Sequence, residues 1–385
     1  MLHQWMPHLR CGGRLPSARR GRGFRTCLAS LTAALVVTFA AAALAAEEWQ
    51  AQWDQLVADA RKEGKIVVSG PIGNNWQEVL SSFEKDFGIK AEYTGNWGRD
   101  FYPRLAQERR VGKYLWDIRA VAAGIETYEL LPEGTFDPVR DLLIRPDVIG
   151  DENWYGGLNA NFSDKTKKYF FHFGLNAIPV AWVNRDFVPE SQVKTLKDIL
   201  KPEMKGKISI QDMRTGAAVI GLSPVLANKD YGADFVRALV HDQKAPIVKN
   251  SRQQVEWLVR GTYPIGVVIT SDMLASFTAQ GLGKSVVPLD EGLPAASSGF
   301  GGLIAIDKPP HPAATKLYAN WLLTKDVQQR IAKIVGYNSR RKDVEPGDKQ
   351  TVVDVKRLDD YVDVQKEDFL PYYGQVIQLA RELDK

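Results

Sequence analysis

From residue 65 to residue 121 short apolar runs alternate with amphipathic helical stretches. That alternation restricts the chain to an α/β architecture whose sheet is parallel in its main part. Lys65–Ser69 reads as a buried strand, Trp76–Phe87 as a helix stopped by Gly88, Ile89–Tyr93 as a second strand, and Trp116–Val121 as a third. A further helix runs through Arg110 between the last two. The pattern resumes near residue 170, with strands at Val180–Asn184, Lys207–Ile210, Tyr263–Ile269 and Gly301–Ile306. A long amphipathic helix is expected over 312–335. A chain of 385 residues exceeds one ordinary domain and suits two lobes of about 150 residues each.

The N-terminal stretch has a different grammar. Six arginines and no acidic residue fall in the first 46 positions. An apolar, alanine-rich run from 28 follows, ending Ala43-Leu44-Ala45-Ala46 before Glu47-Glu48. This is the order of a secretory signal cleaved near Ala45 or Ala46, with delivery to the periplasm as the expectation. Arg19-Arg20 hints at twin-arginine export, but Sec is the default. A retained membrane anchor is the plainer alternative. Without this segment the remaining charge is slightly negative, so nothing suggests a nucleic-acid partner. Cys11 and Cys27 also lie in it. A cleaved chain would then have no disulfide, no thiolate nucleophile and no Cys-bound zinc.

Four stretches carry a likeness to a known family. They are Val67-Val68-Ser69-Gly70 with Phe83–Lys90; Leu196–Pro202 with Lys205–Ile208 and Arg214-Thr215-Gly216; Gly261–Ile269; and Gly301-Gly302 through Pro312–Ala314, Tyr318–Leu323 and Gln328-Gln329. In that order they resemble the periplasmic substrate-binding proteins of ABC importers, type II, in the branch of ferric-iron, phosphonate and thiamine binders. The resemblance implies a two-lobed clamshell. Each lobe is a mainly parallel sheet with flanking helices, and the ligand cleft lies between lobes. By analogy lobe 1 takes 47–169 and 273–342, lobe 2 takes 170–272, and 343–385 forms a tail. The last part of that tail, Pro371–Leu383, reads as a docking helix. The implied role is to capture a small anionic organic ligand, a carboxylate or phosphonate, by hinge closure, and to dock as a monomer on an inner-membrane permease served by an ATPase. A ferric-iron receptor without tyrosine ligation is the runner-up. A secreted enzyme and a sensor subunit on the same fold stand behind it.

In such clefts, helix N-termini at strand ends face the ligand and favour anions. Three loops have that composition. The first holds Ser69, Gly70 and Asn74. The second holds Asn96, Trp97 and Gly98. The third, Arg214-Thr215-Gly216-Ala217, offers a hydroxyl, a glycine and a guanidinium able to grip a carboxylate bidentately. Its plainer reading is a helix start with a surface arginine. Ser251 sits in Asn250-Ser251-Arg252, where an N-cap serves equally well. Ferric binders of this family place two adjacent tyrosines after the strand that corresponds to Gly266–Ile269. Here that place reads Thr270-Ser271-Asp272, a poor donor set for Fe³⁺; these three are candidates for a polar ligand or for an N-cap. Tyr372-Tyr373 lies too late and is assigned to packing the tail. Trp76, Trp97, Trp154, Tyr155 and Trp182 could each wall an organic ligand or belong to the core.

His172, His241 and His311 lack metal-ligand spacing, so no metal and no cofactor is expected. Gly281-Leu282-Gly283-Lys284-Ser285 ends like a phosphate-binding loop, but the earlier glycine that loop needs is Thr278. No nucleophile elbow or paired-histidine zinc motif occurs, and no catalytic residue is expected.

Overall fold

The computed structural model describes residues 49–289 and 293–384. Residues 1–46, read from sequence as an export signal and holding Cys11 and Cys27, lie outside them. All the strands fall in one unit, Trp53–Lys385.

The first sheet is built on β1 (Lys65–Gly70), which pairs in parallel with β2 (Lys90–Gly95) and β3 (Ile118–Arg119). The chain then supplies β4 (Phe136–Asp137) and β5 (Phe170–His172). A second sheet follows. Its ingredients are β7 (Ala181–Asn184), β8 (Ile208–Gln211), β9 (Ile247–Val248), β10 (Ile265–Val267) and β11 (Val286–Leu289), ordered β11-β7-β10-β8-β9. A third, small sheet joins β6 (Asn176–Ala177), β12 (Ala295–Ser297) and β14 (Val362–Asp363). Finally β13 (Gly302–Ile306) returns to the first sheet and runs antiparallel to β3, β4 and β5.

The directions matter more than the count. In the first sheet only β13 opposes the rest, and in the second only β7 does. Both reversed strands begin where the chain leaves the small third sheet. The carboxyl ends of β1, β2, β3 and β5, and those of β8, β9 and β10, therefore point toward β6 and β12. Two α/β lobes face each other across that connector. It is the arrangement in which strand-end loops line a crevice.

Sheet membership changes at 173–180 and 290–301, later than the 170 and 272 inferred from sequence. Phe170-Phe171-His172 completes the first sheet on β13. Val286-Val287-Pro288-Leu289 is an edge strand of the second sheet, where a proline donor is not missed. The expected helix over 312–335 is also interrupted. Pro312–Leu322 ends, and Thr324 accepts from the Val327 amide to start Lys325–Arg330.

The second lobe is held by a helix with no polar face. Gly216–Ala227 reads GAAVIGLSPVLA, so it needs cover on both sides. The sheet residues Ile208, Ile210, Ile265 and Val267 supply one side. The tail helix Leu370–Leu383 supplies the other, with Tyr373, Val376, Leu379 and Ala380 buried in the same core. The tail thus passes from the first lobe, where Leu175 donates to the Asn338 carbonyl, along β12 as β14, and onto the second lobe.

Candidate functional site

On the first-lobe rim, Ser69 is the last residue but one of β1, Arg119 ends β3, and Asn96 follows β2. Parallel pairing brings the three together. Arg119 Nη1 donates to Asn96 Oδ1 at 2.6 Å and to the Ser69 hydroxyl, which in turn donates to Asn96 Oδ1 at 2.9 Å. The guanidinium is 2% exposed. It lies 4.4 Å from the ring centroid of Phe101 and 5.1 Å from that of Tyr102. Its Nε is buried with no acceptor.

Two other arginines are as deeply buried, and each has its own carboxylate. Arg340 holds Asp363 at 2.5 Å, and Arg341 grips Asp343 through two contacts of 2.9 Å. The partners of Arg119 are all neutral. A buried cation without an anion is costly. Sequence reading missed Arg119: an arginine inside an apolar strand run looks like an interruption, and only strand register shows what it meets.

Trp97, next to Asn96, opens the helix Gly98–Arg110 without a side-chain cap. Its indole is 43% exposed and stands 6.1 Å from the ring of Phe300, itself 40% exposed. Phe300 precedes the reversed strand β13 and so lies on the same rim. Trp76, Trp154 and Trp182 are buried core residues. Gly70 and Gly98 serve packing. A Cβ on Gly70 would come within 2.5 Å of the Tyr93 hydroxyl, and one on Gly98 within 3.2 Å of the Tyr102 ring. Asn74 is exposed at the start of the helix Asn74–Ser81.

His172 ends β5 behind this rim. Its Nε2 accepts from the Ala123 amide at 2.9 Å, so the proton of the neutral ring sits on Nδ1. Burial holds its pKa down to about 4.

On the second-lobe rim the structure corrects the reading of Arg214. The bidentate carboxylate is already present: Asp212 takes Nε at 2.9 Å and Nη2 at 2.7 Å, and Asp384 of the tail takes Nη1 at 2.7 Å. The Arg214 hydrogen bonds hold the Asp212 carboxyl below its usual range. Thr215 caps the following helix, accepting from Ala218 at 3.3 Å. Gly216 and Ala217 are exposed in its first turn, with open space beside Gly216. Asn250 rather than Ser251 provides the cap of Ser251–Arg260, accepting from Gln253 at 3.2 Å. Thr270 occupies the cap position of Ser271–Thr278 but makes no side-chain cap bond. Ser271 and Asp272 are therefore its first two residues, not its cap. Just before them Val268 has φ of +55°, a strained value for a β-branched residue, and donates to the Val180 carbonyl at 2.8 Å. Tyr373 is buried, its hydroxyl donating to the Val364 carbonyl at 2.6 Å.

Among the described residues no three of His, Cys, Asp and Glu lie together as a metal cage, and no helix is long and apolar enough to cross a membrane.

Residues 157–334 match the family model described as bacterial extracellular solute-binding protein. The apo ferric ion-binding protein A of Pasteurella haemolytica superposes with a TM-score of 0.61 at 17% identity, covering 83% of this chain and 98% of that one. A Trichodesmium protein in complex with iron and citrate gives 0.62 at 17% identity, covering 83% and 99%. An ABC transporter protein of Clostridium perfringens gives 0.62 at 15% identity, covering 83% and 100%. This is the two-lobed fold of the type II substrate-binding proteins. The matched family and these neighbours are binding and transport proteins rather than enzymes. No curated protein sequence matches the chain.

Proposed function

We propose that the chain is the extracytoplasmic solute-binding component of an ABC importer and that it closes its two lobes on a small organic anion. The observation that carries the ligand class is Arg119, a buried guanidinium at the rim with neutral partners only. An anionic ligand there would gain charge-assisted hydrogen bonds in a low-dielectric setting. The uncapped start of Gly98–Arg110 adds amide donors beside it. Of the residues inferred from sequence, Ser69 and Asn96 hold the guanidinium through hydrogen bonds, and in this reading Thr270 and Ser271 would meet the ligand from the second lobe.

In this reading the third sheet is the hinge. The first 46 residues direct export to the periplasm, and the closed form docks on a membrane permease served by an ATPase. The descriptions of two neighbours favour a second reading, ferric iron carried with an exogenous anion. Against it, the loop after β10 supplies Thr270-Ser271-Asp272 where the resemblance calls for two phenolates.

A thermal-shift panel of carboxylates, phosphonates and ferric salts separates the two. Stabilisation by organic anions, abolished by Arg119→Met, is the expected outcome. Stabilisation by ferric salts alone overturns the proposal.

A further inference from the structure

The same rim carries a second kind of surface. Trp97 and Phe300 expose large aromatic faces, while Trp76, Trp116, Trp154 and Trp182 of the same lobes are buried. Leaving two such rings in water forgoes the burial that usually places them inside. They are not adrift on loose loops. The Phe300 amide donates to the Tyr337 hydroxyl at 2.6 Å, and Tyr337 also bonds the Ser298 carbonyl and stacks edgewise on Trp76 at 5.4 Å. Gly299 on the same turn is fixed at both ends: its amide donates to Ser297 Oγ at 2.9 Å, and its carbonyl accepts from Gln365 Nε2 at 3.1 Å. Trp97 is anchored through its neighbour Asn96, which accepts from Arg119. Register ties Phe300 to the same point, because β13 pairs Ile304 with Arg119.

We infer that the ligand is an aromatic carboxylate, its acid group facing Arg119 and its flat ring lying on Trp97 and Phe300. This rests on the anion reading above and narrows it. A hydrated metal ion gains nothing from two paired rings, and an aliphatic acid gains burial but not their offset or edge contacts. A benzene ring gains offset or edge contacts from both and takes both out of water on closure.

The test is isothermal titration of the full-length chain with benzoate, cyclohexanecarboxylate and acetate. The wild type and the variants Trp97→Ala, Phe300→Ala and Arg119→Met are compared, with folding checked by circular dichroism. Benzoate is expected to bind tightest of the three. Each aromatic truncation should weaken it about tenfold, the scale of one aromatic contact, and leave acetate unchanged, while Arg119→Met weakens all three. If the aliphatic acids bind as well as benzoate, or both truncations leave benzoate untouched while Arg119→Met still acts, the aromatic inference fails and the anion reading stands. If Arg119→Met changes nothing, or no carboxylate binds, the anion reading fails and takes this inference with it.

Discussion

Arg340 meets Asp363 at 2.5 Å between the connector strands, both side chains almost wholly out of water. The first comes just after Asn338, whose carbonyl receives the Leu175 amide; the second lies in β14. Burial, the largest single influence, pushes the Asp363 carboxyl up, but the Arg340 charge together with His172, Lys366 and the Gln365 amide offsets it and leaves the pKa lowered.

Removing one partner strands the other. Asp363→Ala and Arg340→Ala should each cost about 3–5 kcal/mol, and the double variant should cost much less than their sum. Urea unfolding of the three proteins checks this. Near-additive losses would show that the pair is not coupled.

Arg119 should act in the opposite sense. Arg119→Met removes a buried cation that no carboxylate neutralises, while Ser69 and Asn96 keep their mutual bond at 2.9 Å. The ligand-free protein should become more stable by at least ~1 kcal/mol while anion binding is lost. Unfolding curves with and without benzoate report both effects.

The pH dependence has a definite sign at His172. In the fold its pKa is near 4, against an ordinary 6.5, with burial as the main cause; Asp363 and Asp164 pull it up, Arg340 and Lys167 push it down. Between pH 6.5 and 4 the unfolded chain binds a proton that the folded chain refuses. Stability is therefore full above 6.5 and falls by roughly 3 kcal/mol toward pH 4, where the loss levels off. His172→Gln should flatten this part of the stability profile, and a native His172 imidazole titrating near 6.5 would contradict it.

The tail should matter through its apolar face and not through its ion pairs. Leu379→Ala, in the core shared with Gly216–Ala227, should cost about 2–5 kcal/mol. Asp384→Ala, which frees one side of the half-exposed Arg214, should cost less than about 1 kcal/mol. Thermal melts of the two variants separate the contributions.

The alternation of strand and helix made both sheets legible in the sequence, because it is a local property. Gly64, Gly88 and Thr215 ended or began helices as their chemistry requires. What stayed hidden depended on register or on distant partners. Arg214 looked free until Asp384 met it from 170 residues away. Arg119 looked incidental until parallel pairing put Ser69 and Asn96 against it. Phe171, partnered with Leu303, could be placed in the first sheet only after β13 returned. Trp97 was indistinguishable from its buried counterparts, since a tryptophan's exposure is set by what packs over it.

The apolar helix Gly216–Ala227 carries a last consequence for the order of events in folding. Its outer face is sealed by Tyr373, Val376 and Leu379, some 150 residues downstream. During synthesis the second lobe stays open at that seam until the final turns of the polypeptide have emerged. Such distant closure makes folding slow, and on the export route proposed above a chain that is slow to fold stays threadable.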